Sequence, residues 1–278
     1  MIELGKINTL EVLREVSFGL YLGKDDDEVL LPIKYEKEEF ELGDWIDVFV
    51  YLDNEGRTIS TTLNPKILLD HFAVLKVNQV TQHGAFFDMG IDKDLFVPFK
   101  EQREKVQESE YHLVYMYLDE KTERLVGSTK TNKFINFDKV DLEKNQEVSL
   151  LIYEKNQFGY AAIVDNQYKG MLFESDIFEP LQIGSIITGF VKNIRDDNKI
   201  DLRIQKVGMQ GIEDHAQKIL DLLKKSNGFL NLNDKSNPED IKNHLKMSKK
   251  AFKKAIGTLY KKRLIKITDQ GIELVSET

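Results

Sequence analysis

Two phenylalanines in the middle of the chain have the chemistry needed to stack against nucleobases. Phe86 lies in the run GAFFD (84–88), and Phe96 lies in the run LFVP (95–98). Successive side chains of a β-strand point to opposite faces, so a solvated Asp88 places Phe86 on the outer surface. The same alternation buries the apolar neighbours of Phe96 and turns its ring outward. Two exposed rings on neighbouring strands would form a platform for single-stranded bases, worth about 1–3 kcal/mol for each base.

A row of lysines near the carboxyl end has the chemistry needed to contact phosphates. From Lys246 to Lys266 the chain has nine basic residues and no acidic one. Because the whole chain has a net charge of −8, the remaining residues together carry −17. A basic segment in so acidic a chain favours phosphate contact over a merely solvated face. The candidate contacts are Lys249, Lys250, Lys253, Lys254 and Lys261.

The elements that position the two phenylalanines belong to a unit that occurs three times. Each unit contains a glycine (Gly19, Gly84 or Gly159), and a proline follows 13 positions later at Pro32 and 14 positions later at Pro98. An aspartate follows the same glycines 34, 35 and 37 positions later, at Asp53, Asp119 and Asp196. Since the unit is about 65–75 residues long, it has the size of a small independently folding barrel.

Within each unit the sequence has the alternation and the turn residues of short β-strands. Apolar and polar residues alternate in 46–50 and 148–152, and turn-forming residues occupy 53–56 and 119–121. Five short strands with one longer connection are typical of an OB-type barrel. We therefore predict a mainly β protein with three tandem OB-type five-stranded barrels, followed by an α+β winged-helix domain. The predicted domain ranges are 1–62, 63–133, 134–206 and 207–278.

The last part of the chain changes from strand alternation to helical periodicity. Apolar residues recur at helical spacing from Ile212 to Leu223, and Asn237 and Ser248 are each placed to cap a further helix. The last of these helices has one apolar stripe (252, 255, 256 and 259), with the lysines on or beside the opposite face. Two short strands around 269–271 would complete a winged helix. Its last helix would bring the lysines to a phosphate backbone.

These motifs resemble those of a known family. The second unit is similar to the S-one domain, an RNA-binding OB fold. The similarity lies in three motifs that follow one another: GAFFD, FVP and an Asp-x-x-x-x-Arg-Leu pattern. The first unit resembles this domain well and the third only in outline. Three such domains followed by SNPEDI (236–241) and MSKKAFK (247–253) resemble the conserved virulence factor B family of bacterial RNA-binding proteins. The resemblance implies that Phe86 and Phe96 occupy the usual platform positions and that the protein acts on gene expression after transcription.

The other two units keep only part of the platform. The first has Tyr21 at one platform position and Leu30 at the other. The third has Ala161 or Ala162 at one position and Met171 at the other, and it is as well suited to spacing or protein docking as to RNA. Aromatic and imidazole side chains near the equivalent strands would extend the surface. These additional candidates are Tyr21, His83, Phe158 and Tyr160.

Acidic runs in the first unit bear on how tightly the barrels bind. Residues 25–28 and 36–39 would repel a phosphate backbone if they lined the site. We expect them in solvated loops. We then expect the barrels to bind RNA weakly or selectively rather than to coat a strand tightly.

The remaining residues give little support to catalysis. The chain has no cysteine, and its five histidines (His71, His83, His112, His215 and His244) show no metal-ligand spacing. Glycine motifs of nucleotide-binding loops and nucleophile elbows are absent. We therefore predict no enzymatic activity, no cofactor and no metal. The lack of a signal pattern or a long apolar run predicts a cytoplasmic location without a membrane partner.

Together these features predict a cytoplasmic bacterial protein that binds single-stranded RNA and regulates gene expression after transcription. One alternative is a DNA-binding transcription regulator whose winged helix reads operators. Another is a docking protein that contacts components of the ribosome or of ribonucleases.

Overall fold

A computed structural model describes residues 1–36, 40–177, 179–204 and 209–275. The chain divides into two compact units, the first of which contains Met1–Phe137, Ile163–Tyr168 and Ile183–Ser185. Residues 37–39 of the second acidic run lie outside the described residues. Within the described ranges, no helix is long and apolar enough to cross a membrane.

The first barrel is a closed sheet of five strands. These are β1 (Ile7–Val16), β2 (Gly19–Lys24), β3 (Asp27–Pro32), β4 (Trp45–Leu52) and β5 (Thr58–Thr61). The order is β1-β2-β3-β5-β4, and the barrel closes where β1 pairs with β4. Neighbouring strands are antiparallel except β3 and β5, which are parallel. The inward positions hold Leu10, Leu22, Leu31, Val48 and Val50, none more than 1% exposed.

The second barrel also has five strands, but hydrogen bonds do not close it. Its strands are β6 (Phe72–Val80), β7 (Gly84–Phe87), β8 (Leu95–Pro98), β9 (Tyr111–Asp119) and β10 (Arg124–Ser128), in the order β10-β9-β6-β7-β8. Strands β8 and β10 lie side by side without a ladder between them. Its core cluster includes Phe87, Leu95 and Met116 together with Phe49 and Tyr51 of the first barrel. Phe49 and Tyr51 therefore pack into the core of the second barrel, whereas the first barrel has a separate core around Leu22 and Leu31.

The third barrel repeats the topology of the first. Strands β11 (Glu147–Asn156), β12 (Gly159–Val164), β13 (Tyr168–Phe173), β14 (Ile186–Ile194) and β15 (Ile200–Arg203) close in the order β11-β12-β13-β15-β14. Strands β13 and β15 are parallel, as β3 and β5 are. The predicted architecture of tandem five-stranded barrels is confirmed, and the domain boundaries given above remain a prediction.

One backbone hydrogen bond recurs in all three barrels and fixes how their residues correspond. The N–H that follows the third strand of each barrel donates to the carbonyl just before the second strand. The three bonds are Ile33 N to Phe18 O (3.0 Å), Phe99 N to His83 O (3.3 Å) and Glu174 N to Phe158 O (3.0 Å). Counting from these bonds, one platform position is held by Tyr21, Phe86 and Ala161, and the other by Leu30, Phe96 and Met171.

The carboxy-terminal domain has the predicted order of helix, short strand, two helices and hairpin. Its elements are α1 (Met209–Lys225), β16 (Phe229–Leu230), α2 (Pro238–Leu245), α3 (Lys249–Lys261), β17 (Ile265–Ile267) and β18 (Ile272–Leu274). Strand β18 lies between β16 and β17. The core beneath α3 contains Phe252, Ala255, Ile256 and Leu259, each at most 2% exposed. The winged helix is therefore confirmed.

Side-chain caps set where the last two helices begin. The Asn237 side chain accepts the Glu239 N–H at 3.1 Å, and Pro238 takes the first helical position of α2. The Ser248 hydroxyl accepts the Ala251 N–H at 3.1 Å. Each cap satisfies a backbone donor that has no partner inside its own helix. The Ser248 cap fixes the first turn of α3, whose apolar stripe is buried in the domain core.

Candidate nucleic-acid interface

Phe86 and Phe96 form an aromatic pair on the outer face of the second barrel. They lie directly opposite each other on β7 and β8, with ring centroids 5.1 Å apart and ring planes 42° apart. Both rings are half-buried, whereas the neighbouring Ala85, Phe87 and Leu95 are at most 1% exposed. The alternation of β7 and β8 thus presents two adjacent aromatic faces at the surface.

Gly84 makes room for the second ring of the pair. A Cβ atom at this residue would lie 2.4 Å from the carbonyl oxygen of Val97 and 2.9 Å from a ring carbon of Phe96. Any side chain here would therefore push β8 away from β7 or displace the ring. The glycine that begins the unit therefore supports the platform, because it leaves the space that β8 and the Phe96 ring occupy.

Asp88 directly follows β7, and it is half-buried rather than fully solvated as expected. Its carboxylate bonds to the Lys66 ammonium and accepts the Gly90 N–H at 2.7 Å. Burial raises the pKa of Asp88, but these hydrogen bonds and the nearby lysine charges outweigh burial and hold the pKa below its ordinary value. Asp88 therefore stays charged and anchors the loop between β7 and β8.

A cleft of about 710 Å³ lies beside the aromatic pair. The residues that line it include Phe86 and Phe96, and Tyr117 on β9 and Tyr51 on β4 are further aromatic residues there. One wall comes from the end of β4 and the start of the turn that follows it in the first barrel, residues 51–54. Burial and the Glu101 carboxylate raise the pKa of Tyr117 to about 12, so its phenol remains a neutral hydrogen-bond donor. The cleft thus combines apolar ring faces with polar edges.

The formal charges of the side chains that line the cleft balance, because its three carboxylates are matched by Lys93, Lys100 and Arg124. Its three carboxylates already have partners, whereas Lys100 and Arg124 are exposed and, in the described chain, make no side-chain hydrogen bond or ion pair. Two basic groups are therefore available to phosphates beside the rings. The partnered carboxylates are Asp53 with Arg57 (2.6 Å), Asp94 with Asn78 (3.0 Å) and Asp119 with Thr122 (2.9 Å).

His83 lies at the edge of the same cleft. It is exposed, and its Nε2 is 3.1 Å from Nε2 of Gln82. The recurring backbone bond gives Phe18 and Phe158 the same position in the other two barrels, where they are 53% and 58% exposed. All three barrels thus present a flat side chain at this turn. The prediction of His83 and Phe158 as contacts is compatible with their exposure.

The platform position of the first barrel is already occupied by an intramolecular contact. The guanidinium of Arg14 lies over the Tyr21 ring, 3.6 Å from its centroid. Arg14 is held there by Glu28, whose carboxylate is 2.7 Å from the Arg14 Nη2 atom. One face of Tyr21 is therefore unavailable to a base unless Arg14 moves.

The third barrel departs furthest from the platform, and Tyr160 requires a correction. We expected Tyr160 among the surface candidates, but it is 3% exposed, and its hydroxyl accepts the Leu181 N–H at 3.3 Å. Its position follows directly after Gly159 and matches Ala85, which points into the core of the second barrel. Ala161 takes the platform position itself and is 6% exposed. The described third barrel therefore presents no aromatic pair equivalent to Phe86 and Phe96.

The lysines of α3 divide into two groups. Lys250, Lys253, Lys254 and Lys261 are exposed, and among the described residues their ammonium groups have no ion-pair or hydrogen-bond partner. Lys249 is half-buried, and its ammonium lies 3.4 Å from the Lys235 carbonyl oxygen. The first four are therefore the lysines that can meet a phosphate without breaking an existing contact.

Sequence reasoning missed several side chains of the cleft. Tyr117 could have been found from strand alternation, because it lies on the outward face of β9. Lys100 and Arg124 belong to the second unit but carry no pattern that marks them. Asn54 belongs to another barrel, so only the three-dimensional structure brings it to the cleft. Among the described residues, no three His, Asp or Glu side chains are grouped as metal ligands.

Comparisons with known proteins agree with this arrangement. The S1 domain family matches residues 4–63, and the CvfB-like winged helix domain family matches residues 217–274. Conserved virulence factor B of Staphylococcus epidermidis (strain ATCC 12228) is 28% identical over 98% of this chain and 95% of its own length. The uncharacterized protein YitL of Bacillus subtilis is 27% identical over 92% of this chain and 89% of its own length.

A solved structure is similar along the same length. It is described as a multidomain protein with nucleic acid binding domains from Streptococcus pneumoniae, is 25% identical, covers 98% of both chains and has a TM-score of 0.40. The domains recognised here are of the nucleic-acid-binding type rather than catalytic. The predicted resemblance is confirmed: this chain has an S1 domain and a CvfB-like winged helix, and it is similar to conserved virulence factor B over 98% of its length.

Proposed function

We propose that the protein binds single-stranded RNA through the second barrel and α3, and thereby regulates gene expression after transcription. The observation that carries the proposal is the pair of outward rings, Phe86 and Phe96, 5.1 Å apart beside a cleft. Two adjacent rings suit successive unpaired bases, because every base has a π-face that can stack on an aromatic side chain. The proposed role is binding rather than catalysis.

The platform favours a single strand over a duplex. Bases inside a duplex are stacked on each other, so they cannot lie on a protein ring without being extruded. Lys100 and Arg124 beside the rings would contact the phosphates that accompany an unpaired base. The proposed contacts in the second barrel are Phe86, Phe96 and His83.

Helix α3 would add affinity with little sequence preference. Lysine contacts to phosphates position a nucleic acid but seldom read its bases. The exposed lysines Lys250, Lys253, Lys254 and Lys261 would strengthen binding to any RNA and make it sensitive to salt. Three further residues would be secondary contacts: Tyr21, whose ring is covered by Arg14, Phe158, which has no aromatic partner on the platform of the described third barrel, and Lys249, which already bonds to a carbonyl.

A second candidate function also has an observation in its favour. The lysines project from α3, the last helix of the winged domain, and a helix in this position can enter the major groove of DNA. A transcription regulator would use this helix first and leave the barrels to recruit partners. The aromatic pair has no role in such a mechanism, and for that reason we favour RNA.

Crosslinking in cells would test the proposal directly. Ultraviolet light joins stacked bases to the protein, and sequencing identifies the nucleic acid recovered with it. We expect RNA, with recovery that falls sharply when Phe86 and Phe96 are changed to alanine. Recovery of chiefly double-stranded DNA, unaffected by these changes, would support the alternative. The regulatory part would be supported if the crosslinked transcripts change in level or lifetime when the protein is removed.

A further inference from the structure

The cleft beside the platform has one wall that the second barrel does not supply. This wall is the turn that joins β4 to β5 in the first barrel, residues 52–57, named here the barrel-1 turn. Leu52, Asp53 and Asn54 line the cleft together with Phe86 and Phe96. A base lying on the platform would therefore have the barrel-1 turn along its edge.

The barrel-1 turn is rigid because its own hydrogen bonds hold it. The Asp53 carboxylate accepts the N–H groups of Glu55 and Arg57, both at 2.9 Å. The Arg57 guanidinium closes the same turn with an ion pair of 2.6 Å to Asp53. Backbone bonds from Asp53 N to Arg57 O (2.9 Å) and from Gly56 N to Asp53 O (3.1 Å) complete it. The backbone from which the side chains of this turn project is therefore held in one position.

Lys93 of the second barrel fastens the barrel-1 turn beside the platform. Its ammonium donates to the carbonyl oxygens of Leu52 at 2.5 Å and Asp53 at 2.8 Å. Burial lowers the pKa of Lys93, and the nearby Arg124 charge lowers it further. Because Lys93 is half-buried, leaving either carbonyl would cost it a hydrogen bond, and these two bonds favour the observed position of the turn.

Two further contacts keep the first two barrels in place around the cleft. Lys34 of the first barrel and Asp92 of the second form an ion pair of 2.6 Å. Tyr51, which directly precedes the barrel-1 turn, is 2% exposed and packs into the core of the second barrel. Its hydroxyl lies 3.1 Å from that of Tyr35. The barrel-1 turn is therefore positioned by core packing as well as by Lys93.

Asn54 is the residue of the barrel-1 turn with unused hydrogen-bonding capacity. Its side chain is exposed and, within the described residues, makes no hydrogen bond. An amide offers one acceptor and one donor side by side, which matches the edge of a nucleobase. Asn54 thus adds a base-reading group to a platform whose rings alone accept any base.

We propose that the barrel-1 turn reads the edge of a nucleobase stacked on Phe86 and Phe96, with Asn54 as the specificity-determining residue and Lys93 as the positioning residue. This inference rests on the proposed binding of single-stranded RNA. It makes the first two barrels one composite site, in which the second supplies stacking and the first supplies discrimination between bases.

Base preference, rather than affinity alone, tests the proposal. Binding of labelled oligo-rA, oligo-rC and oligo-rU of equal length would be measured by fluorescence anisotropy at one salt concentration. We expect the parent protein to prefer one of them by about tenfold, the discrimination of a single bidentate contact. Asn54→Ala should reduce this preference to near twofold while keeping most of the affinity for the weaker oligonucleotides. Glu55→Gln, on the same turn but outside the cleft, is the matched control: it keeps an acceptor for Arg57, whose guanidinium lies 2.9 Å from the Glu55 carboxylate, and should keep the full preference.

A separate substitution tests the positioning role of Lys93. Lys93→Met should reduce the preference as Asn54→Ala does, because the turn would lose its fixed position, whereas a purely structural role would change thermal stability without changing the preference. If Lys93→Met does not fold, Asn54→Ala still decides. Equal binding of all three oligonucleotides by the parent, or an unchanged preference in Asn54→Ala, would overturn the inference. Loss of binding in a Phe86→Ala/Phe96→Ala protein would separately show that the platform itself is correct.

Discussion

Phe86 and Phe96 face each other across two antiparallel strands, with ring centroids 5.1 Å apart and the cleft beside them. Neither ring belongs to the core, where Phe87 and Leu95 from the same strands are at most 1% exposed. The half-buried rings leave apolar surface in contact with water. Stacking of bases on them would remove this surface from water.

Removing both rings should abolish most RNA binding. Phe86→Ala/Phe96→Ala should weaken binding of single-stranded RNA by about 1–3 kcal/mol for each stacked base. Anisotropy titration would measure the loss, and circular dichroism would show whether the barrel remains folded. The matched control is Leu30→Ala/Met171→Ala, which changes the equivalent positions of the other two barrels and should leave affinity nearly unchanged. A folded platform variant that binds like the parent would exclude the second barrel as the binding surface.

Tyr21 should contribute less than Phe86, although the two hold equivalent positions. Arg14 covers the Tyr21 ring at 3.6 Å, and a cation already over an aromatic face competes with a base for it. Tyr21→Ala should therefore change RNA affinity less than twofold, a shift of under about 0.4 kcal/mol. Parallel titrations of Tyr21→Ala and Phe86→Ala provide the comparison. Equal losses in both variants would show that Arg14 leaves the ring when RNA binds.

The lysines of α3 should set the salt dependence of binding. Replacing Lys250, Lys254 and Lys261 with glutamine should weaken binding to all sequences alike. Each lost phosphate contact removes about 0.7 from the slope of log affinity against log salt, so the triple variant should lose about 2. The fold should survive, because the buried stripe from Phe252 to Leu259 is unchanged. An unchanged slope would leave these lysines as a solvated face and favour protein docking by the winged helix.

Acid should destabilise the loop that follows the platform strand. The folded-state pKa of Asp88 lies below its ordinary value, so its charged form stabilises the folded protein above the unfolded-state pKa of about 3.9. That stabilisation is lost as pH falls through this value toward the lower folded pKa. Thermal unfolding from pH 7 to pH 3 should therefore show a smaller fall in Tm for Asp88→Asn than for the parent.

A second carboxylate provides the control for this pH experiment. Glu120 is exposed and, in the described residues, its side chain makes no contact. Glu120→Gln should follow the parent at every pH. If Asp88→Asn also follows the parent in parallel, the Lys66 contact contributes nothing to stability.

Much of the architecture follows from local patterns. Turn residues after each barrel strand, alternation along strands such as β4, and the caps Asn237 and Ser248 act over a few residues, so the sequence alone predicts them. The outward direction of Phe86 and Phe96 follows from the same alternation. These features need no knowledge of distant contacts.

What the sequence does not reveal depends on contacts between segments far apart in the chain. Nothing near Tyr21 indicates that Arg14 covers its ring. All six residues of β12 are buried, so both faces of that strand are covered and alternation gives no guide to Tyr160. Asn54 lines the cleft only because Lys93 and the packing of Tyr51 into the second barrel hold the two barrels together. The aromatic rings of the candidate site can therefore be predicted from the sequence, whereas the first-barrel residues that line the cleft cannot.

The central claim is that the protein stacks on unpaired RNA bases, and the most direct test compares two ligands of equal length at one salt concentration. Single-stranded RNA and duplex DNA would be titrated against the same full-length protein by fluorescence anisotropy. The account predicts tighter binding to single-stranded RNA and loss of that advantage in the Phe86→Ala/Phe96→Ala variant. Tighter binding to duplex DNA, unchanged in the variant, would contradict it.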